Sequence, residues 1–242
     1  VVLLFLVTVV LTFAVPPEPL QWGVNMKWHQ RPRHFFKADW TLLWKDVQAR
    51  TSLCITTLFW GVAACMQLLV LDWAKNGLDL SLEQGAYLQG LSGLGVVIGA
   101  WMAGRTVRLE DHHSVLVCGF LMGALLPLMC FIQDWVWSVP LILLMGVLGG
   151  LLVVPMNAML QHRGKQVLTA GRSIAVQNFN ENISVLAMLA IYALLIWLDF
   201  PVQYVIIGFG LAVSAIMWLV IKRHERNQAE YDSMHLIGEH KH

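Results

Sequence analysis

The sequence has few charged residues and no cysteine pattern that indicates a disulfide or a metal site. Only 13% of its 242 residues are charged, against about a quarter in soluble domains, whereas 57% are hydrophobic. The four cysteines lie within apolar stretches and no CxxC pair occurs, which favours small buried side chains over redox or metal chemistry. The alternating pattern of an outer-membrane barrel is also absent. These features exclude an ordinary soluble domain and predict no bound metal or other cofactor.

Long apolar runs predict an all-α polytopic membrane protein. Residues 1–15 would rise only about 22 Å as a helix, short of the roughly 30 Å hydrocarbon core of a bilayer. We therefore expect them to be the end of a partial transmembrane helix whose first part is missing. Residues 52–221 are predicted to form a bundle of six transmembrane helices, at 52–73, 84–104, 114–133, 137–160, 173–197 and 201–221.

Two polar segments flank this predicted bundle. Residues 16–51 begin with prolines that end the first helix, and they then carry aromatic and apolar residues at helical spacing from Phe36 to Val47. This segment is interpreted either as a loop with a short helix in the membrane interface or as a linker with incidental aromatic residues. Residues 222–242 are predicted to form a disordered polar tail.

Lysine and arginine are distributed unequally between the two sides of the predicted bundle. Fifteen of the 16 lie in residues 16–51, 105–113, 161–172 or 222–242, and only Lys75 lies on the opposite side. Cytoplasmic loops of membrane proteins are enriched in these residues. The distribution therefore predicts that the basic loops and the C-terminus are cytoplasmic.

The fifth predicted span contains a polar stretch inside an apolar run. Residues 177–182 hold three asparagines, a glutamine and a glutamate, and Glu181 lies about 13 Å along the helix from Arg172. Such side chains are costly near the middle of a bilayer unless they face protein, water or a substrate. A substrate-binding site is predicted from this stretch and from two amides that precede the basic turn: Gln177, Asn178, Glu181, Asn182, Asn157 and Gln161. A buried network that only holds helices together is the alternative.

The second predicted span ends in a short charged turn. Small residues recur every four positions from Gly95 to Ala103, a spacing that brings helix backbones close together, and Arg105, Arg108 and Asp111 follow. Charge pairs in this turn would lock one conformation, so these last three residues are assigned a gating role. A solvated turn that only satisfies the cytoplasmic charge preference is the alternative.

The order of these segments resembles the C-terminal half of a major facilitator superfamily transporter. The glycine-rich second span and its arginines resemble the cytoplasmic motif of that superfamily, without its Asp-Arg pair and closing double arginine. Within the superfamily, most of residues 50–221 is similar to the bacterial lysophospholipid transporter family. Four segments carry this second resemblance: VVPMNAMLQHRGK at 153–165, AVQN at 175–178, Glu181-Asn182 and TLFWG at 57–61.

The resemblance implies a function in the bacterial inner membrane. Members of this family move lysophospholipids, chiefly lysophosphatidylethanolamine, from the outer to the inner leaflet, where an acyltransferase/acyl-carrier-protein synthetase reacylates them. The polar helix face would hold the head group, and apolar neighbours would take the acyl chain. A missing N-terminal half would complete a transporter that rocks between two states. The implied partners are lysophospholipid and membrane lipids, not nucleic acid, and no enzymatic activity is implied for the chain.

Other functions remain compatible with the residues. A transporter of the same fold for a soluble solute or drug would use Glu181 for proton coupling. A membrane acyltransferase would use His34 as a base oriented by Asp39, because their spacing matches the H-x-x-x-x-D pattern of glycerolipid acyltransferases. A purely structural or anchoring role would make the polar stretch important for stability alone.

Overall fold

The computed structural model describes residues 32–108 and 114–230, with side chains for 36–108 and 114–227. These ranges are almost entirely helical and contain no β-strand, which confirms the all-α prediction. The helices are α1 (Pro32–Lys45), α2 (Val47–Gly77), α3 (Leu82–Thr106), α4 (Leu116–Leu125), α5 (Trp135–Val167), α6 (Ala170–Trp197) and α7 (Val202–Glu230). Helix α4 continues as a 3-10 helix over Leu126–Phe131.

Five of the described helices are long and apolar enough to cross a membrane, namely α2, α3, α5, α6 and α7. The remaining predicted span, 114–133, corresponds to α4 and its extension, a shorter apolar helix of Leu116–Phe131. Pro127 explains the change of helix type, because it has no N–H to donate to the carbonyl of Gly123. The helices therefore place a multi-pass membrane bundle where the apolar runs predict one.

Local sequence signals define where the first long helices begin. The Asp46 side chain caps α2 by accepting a hydrogen bond from the backbone N–H of Ala49 at 2.8 Å. Ser81 and Gln84 form a reciprocal capping box at the start of α3. Because these caps precede the apolar residues, α2 starts several residues before the hydropathy signal that predicts it.

Glycines join α3 and α5 in a close helix crossing. Gly95 and Gly99 lie against the α5 backbone at Leu143 and Val147, where an added Cβ would collide with a carbonyl oxygen. The facing glycines of α5 are packed against α3 in the same way. Close backbone approach of this kind is what the small-residue spacing predicts.

Helices α2 and α5 lie at the centre of the unit that begins at Phe36. Their apolar side chains form two buried clusters with α4 and α7, one around Leu69 and Ile142 and one around Phe59 and Met156. Helix α6 packs mainly on α2, and only 6% of its most apolar window is buried. The two central helices and α6 carry the polar residues that the sequence singles out.

Candidate functional site

A cluster of polar side chains joins α2, α5 and α6. The Gln177 amide nitrogen donates hydrogen bonds to Asn157 Oδ1 at 2.8 Å and to Glu181 Oε1 at 2.7 Å. The Thr56 side chain of α2 lies close to the Glu181 carboxylate, and its hydroxyl donates to the backbone carbonyl of Leu53 at 3.3 Å. Thr56 and Gln177 are buried, whereas Glu181 is half-buried at the open side of the bundle. We call Thr56, Asn157, Gln177 and Glu181 the polar cluster.

The other predicted binding residues lie outside this cluster. Asn178 and Asn182 are exposed, and the Asn182 amide donates to the backbone carbonyl of Asn178 at 2.7 Å. Gln161 is also exposed, and within the described residues no hydrogen bond connects it with the polar cluster. Of the six residues predicted from the sequence, three therefore meet in one network and three lie on the surface of this chain.

Helical spacing explains why these side chains of α6 face α2. Gln177, Glu181 and Ser184 lie at intervals of four and three residues, so they share one face of the helix. Ser184 lies against Gly61 of α2, where a Cβ would collide with its hydroxyl. Thr56 was not predicted from the sequence, in which its only signal is a hydroxyl near the start of an apolar span.

The groups of the polar cluster can form several kinds of hydrogen bond. Its carboxylate can accept from an ammonium group, and its amides can both donate and accept. Within the described residues no group of three or more His, Cys, Asp or Glu side chains is placed to hold a metal ion.

Two ion pairs hold the basic turn between α5 and α6. Arg163 Nη2 lies 2.5 Å from Asp46 Oδ2, and the two side chains are only 9% and 14% exposed. Arg172 binds both carboxylate oxygens of Asp39, with Nε 2.6 Å from Oδ2. Bidentate pairs of this kind fix orientation as well as distance. These pairs connect α1 and the start of α2 to the end of α5 and the start of α6, which lead into the polar cluster.

Helix α1 contacts α6 beside this turn. The Phe36 ring packs edge-on against Phe179 with centroids 5.0 Å apart, and Trp40 Nε1 donates to Asn180 Oδ1 at 3.3 Å. Asp39, which the acyltransferase hypothesis pairs with His34, is bound by Arg172. The side chain of His34 lies outside the described residues. The helical spacing within residues 16–51 thus corresponds to a helix whose aromatic side reaches α6.

The residues assigned to gating lie at the end of α3. The Arg105 guanidinium lies over the Trp101 ring, 4.1 Å from its centroid, which is a cation–π contact. Arg108 is exposed in the loop that follows, and Asp111 lies outside the described residues. Neither arginine takes part in the two ion pairs of the described chain.

A family model described as Major Facilitator Superfamily matches residues 1–184. The match covers more than half of the chain, and the helices and their order agree with it. The chain belongs to the major facilitator superfamily, whose members are generally membrane transporters and not enzymes.

Curated relatives confirm the resemblance to the lysophospholipid transporter family. The Lysophospholipid transporter LplT of Shigella flexneri is 36% identical over 221 residues, which is 89% of this chain and 55% of that protein. The protein of the same name from Escherichia fergusonii is 38% identical over 194 residues, which is 78% of this chain and 49% of that protein. The one from Escherichia coli is 38% identical over 189 residues, which is 76% of this chain and 47% of that protein. This chain spans about half the length of these relatives. No solved structure matches it.

Proposed function

We propose that this chain forms one half of a lysophospholipid transporter, which moves lipids of the lysophosphatidylethanolamine type from the outer to the inner leaflet of the bacterial inner membrane. The observation that carries the proposal is the polar cluster, on helices that match proteins named as lysophospholipid transporters. Reacylation by an acyltransferase/acyl-carrier-protein synthetase would follow at the cytoplasmic side. The chain itself would have no enzymatic role and would bind neither nucleic acid nor a cofactor.

The polar cluster suits a zwitterionic head group. The half-buried Glu181 carboxylate can accept hydrogen bonds from the ammonium of an ethanolamine head group. The amides Gln177 and Asn157 can exchange their mutual hydrogen bond for one to the phosphate, so binding need not leave a buried donor unpaired. Asn178, Asn182 and Gln161 would join the site from the exposed surface once a second half covers them.

The exposed faces of α6 support a two-half transporter. Asn178 and Asn182 lie uncovered in a helix that crosses the membrane, and amides facing lipid are costly. The relatives are about twice as long as this chain, which leaves room for a second bundle. We place an N-terminal half against this face, with substrate held between the halves near the bilayer midplane and released by rocking.

The distribution of positive charge supports an orientation with the basic loops and the C-terminus in the cytoplasm. In that orientation the two ion pairs of Arg163 and Arg172 lie at the cytoplasmic end of the bundle. Arg105, Arg108 and Asp111 would form a cytoplasmic gate at the end of α3. The proposed gate acts by exchanging contacts such as the Arg105–Trp101 stack between two conformations.

A lipid-transfer assay with matched variants tests this proposal. Spheroplasts expressing a full-length transporter that contains this chain receive labelled lysophosphatidylethanolamine, and uptake is compared for Gln177→Ala, Glu181→Ala and a control, Gln203→Ala. Gln203 is an exposed glutamine at the start of α7. Loss of one hydrogen bond to a charged group, worth about 1.5–3 kcal/mol, predicts at least a tenfold loss of transfer for Gln177→Ala and Glu181→Ala.

The outcomes separate function from site. Transfer by the unaltered protein and the control, with loss in both cluster variants, supports the whole proposal. Equal transfer by all four proteins would show that the polar cluster is structural. Absence of transfer by the unaltered protein would contradict the proposed function.

Transport of a soluble solute with proton coupling is the second candidate. It is favoured by one observation, namely that a single carboxylate, Glu181, lies among neutral partners at the open side of the bundle. This mechanism predicts that Glu181→Gln abolishes pH-driven uptake while leaving substrate binding intact. Unchanged lipid transfer in Glu181→Gln would instead assign the amides to head-group binding.

A further inference from the structure

Helices α2, α3, α4 and α5 line a partly open cavity of about 420 Å³ that is separate from the polar cluster. Its wall on α2 runs from Phe59 to Val70, about 16 Å along the helix axis. Phe59 lies about 4.5 Å along the α2 axis from Thr56, so the cavity begins less than one turn after the polar-cluster residue of this helix. The two features therefore follow one another along α2, first polar and then apolar.

The cavity wall is mainly apolar. Phe59, Met66, Val96, Met122 and Met145 supply much of it. Gln89 also lines the cavity, but its amide donates to the backbone carbonyl of Gln67 and is thus occupied. A volume of this size is at the small end of the range for ligand pockets, which suits one hydrocarbon chain and not two.

Two glycines of α3 enlarge this cavity without serving helix packing. A Cβ added at Gly90 or Gly93 would meet no atom within 4 Å, although both residues line the cavity. Gly95 and Gly99, by contrast, are held against the α5 backbone. Glycine weakens a helix relative to alanine, so helix stability and contacts within this chain do not account for the first two. Their missing side chains leave space open.

We propose that this cavity binds the single acyl chain of the transported lipid, and that Gly90 and Gly93 determine how long a chain it accepts. The inference rests on the proposed function and adds the tail site to the head-group site. Lipid tails are as apolar as leucine side chains, so transfer of a chain from the bilayer into the cavity has little hydrophobic driving force. The cavity therefore selects by shape, and a second acyl chain has no room.

A chain-length comparison tests the tail site. Gly93→Leu and Gly93→Ala are introduced into the full-length transporter, with Gly208→Leu as a matched control, because a Cβ at Gly208 also meets no atom within 4 Å and Gly208 lies outside the cavity. Transfer of palmitoyl and octanoyl lysophosphatidylethanolamine is then measured at matched expression. Gly93→Leu is expected to lose at least tenfold in palmitoyl transfer while octanoyl transfer falls less than threefold. Gly93→Ala and Gly208→Leu are expected to transfer both lipids.

A packing role at Gly93 would give a different result. If Gly93→Leu loses both lipids equally, or transfers both like the unaltered protein, the tail site is wrong even though the proposed function stands. If the unaltered protein transfers neither lipid, both the proposed function and the tail site are wrong.

Photo-crosslinking of the unaltered protein provides a second measurement that needs no variant to fold. A palmitoyl lysophosphatidylethanolamine with a diazirine near the end of its tail should label peptides of α2 and α5 that carry Met66 and Met145. Competition by unlabelled palmitoyl lipid should remove this labelling. Labelling confined to other helices, such as α7, would overturn the tail site.

Discussion

The ion pair between Arg163 and Asp46 allows a quantitative test of how charge pairing stabilises the fold. Replacing Arg163 with glutamine leaves the Asp46 carboxylate, only 14% exposed, without its cation. Removing one partner of a buried pair costs about 3–5 kcal/mol. Arg172→Gln is the matched comparison: it leaves the Asp39 carboxylate, only 5% exposed, without its cation, so it should cost a similar amount although Arg172 itself is 47% exposed. Both variants should therefore be clearly less stable than the unaltered protein.

A double-mutant cycle separates the ion pair from the helix cap. Asp46→Asn removes the charge of Asp46 but keeps a side chain that caps helices well, so the hydrogen bond from Ala49 can persist. The double variant with Arg163→Gln should then be more stable than the sum of the single changes predicts, by at least about 1 kcal/mol.

Unfolding in detergent can be followed with a thiol-reactive dye, because the four cysteines are free and Cys65 is only 1% exposed. The reasoning would be refuted by strictly additive effects in the cycle. A loss of less than about 1 kcal/mol in either single variant would refute it equally.

Three further predictions follow from the same structure. Gly95→Leu should destabilise the bundle by at least about 3 kcal/mol, because its side chain meets the α5 backbone, whereas Gly104→Leu should be nearly neutral in the same dye assay. Cysteines introduced at Asp79 and Arg108 should report the orientation of the chain in the membrane. A membrane-impermeant maleimide should label the cysteine at position 79 in intact cells and the cysteine at position 108 only after permeabilisation. The reverse labelling pattern would invert the orientation. Thr56→Val should lower lipid transfer about fivefold through loss of the hydroxyl beside Glu181, with folded protein unchanged, and unchanged transfer would exclude a role for this hydroxyl.

The sequence predicts the helices well because hydrophobic length is a strong signal. The span predicted at 173–197 corresponds to α6 at Ala170–Trp197, and that at 84–104 corresponds to α3 at Leu82–Thr106. The helix ends are less predictable, since hydropathy marks only the apolar crossing. Helix α7 continues to Glu230, so the prediction of a disordered tail from residue 222 is wrong for residues 222–230. Helix α2 begins at Val47 because Asp46 caps it, five residues before the predicted span. An aspartate just before an apolar run is the signal that would have indicated this start.

The sequence indicates which residues belong to the candidate site, but not how their side chains are arranged. The cost of amides in a bilayer points to residues 177–182, yet neighbours in sequence lie on different faces of a helix. Gln177 and Glu181 therefore enter the polar cluster, while Asn178 and Asn182 stay exposed. A contact between residues that are distant in sequence leaves no local sequence signal, so the proximity of Thr56 to Glu181 is visible only in the structure.

The same limit applies to the ion pairs. Charge asymmetry places Arg163 and Arg172 on the basic side of the bundle, but it does not identify their partners. Asp39 and Asp46 lie more than a hundred residues away in sequence. The segment that contains them was compatible with either an interfacial helix or a linker. Only the folded arrangement of α1, α2 and the turn before α6 brings these charges together.

Lipid transfer by the full-length transporter is the measurement to make first. Spheroplasts that express the unaltered protein should take up labelled lysophosphatidylethanolamine above the level of vector-only spheroplasts, and unlabelled lysophosphatidylethanolamine should compete. Glycerophosphoethanolamine, which has the head group but no acyl chain, should not compete at the same concentration. Uptake equal to the vector background would contradict lysophospholipid transport, and equal competition by the chain-free compound would favour a transporter of soluble solutes.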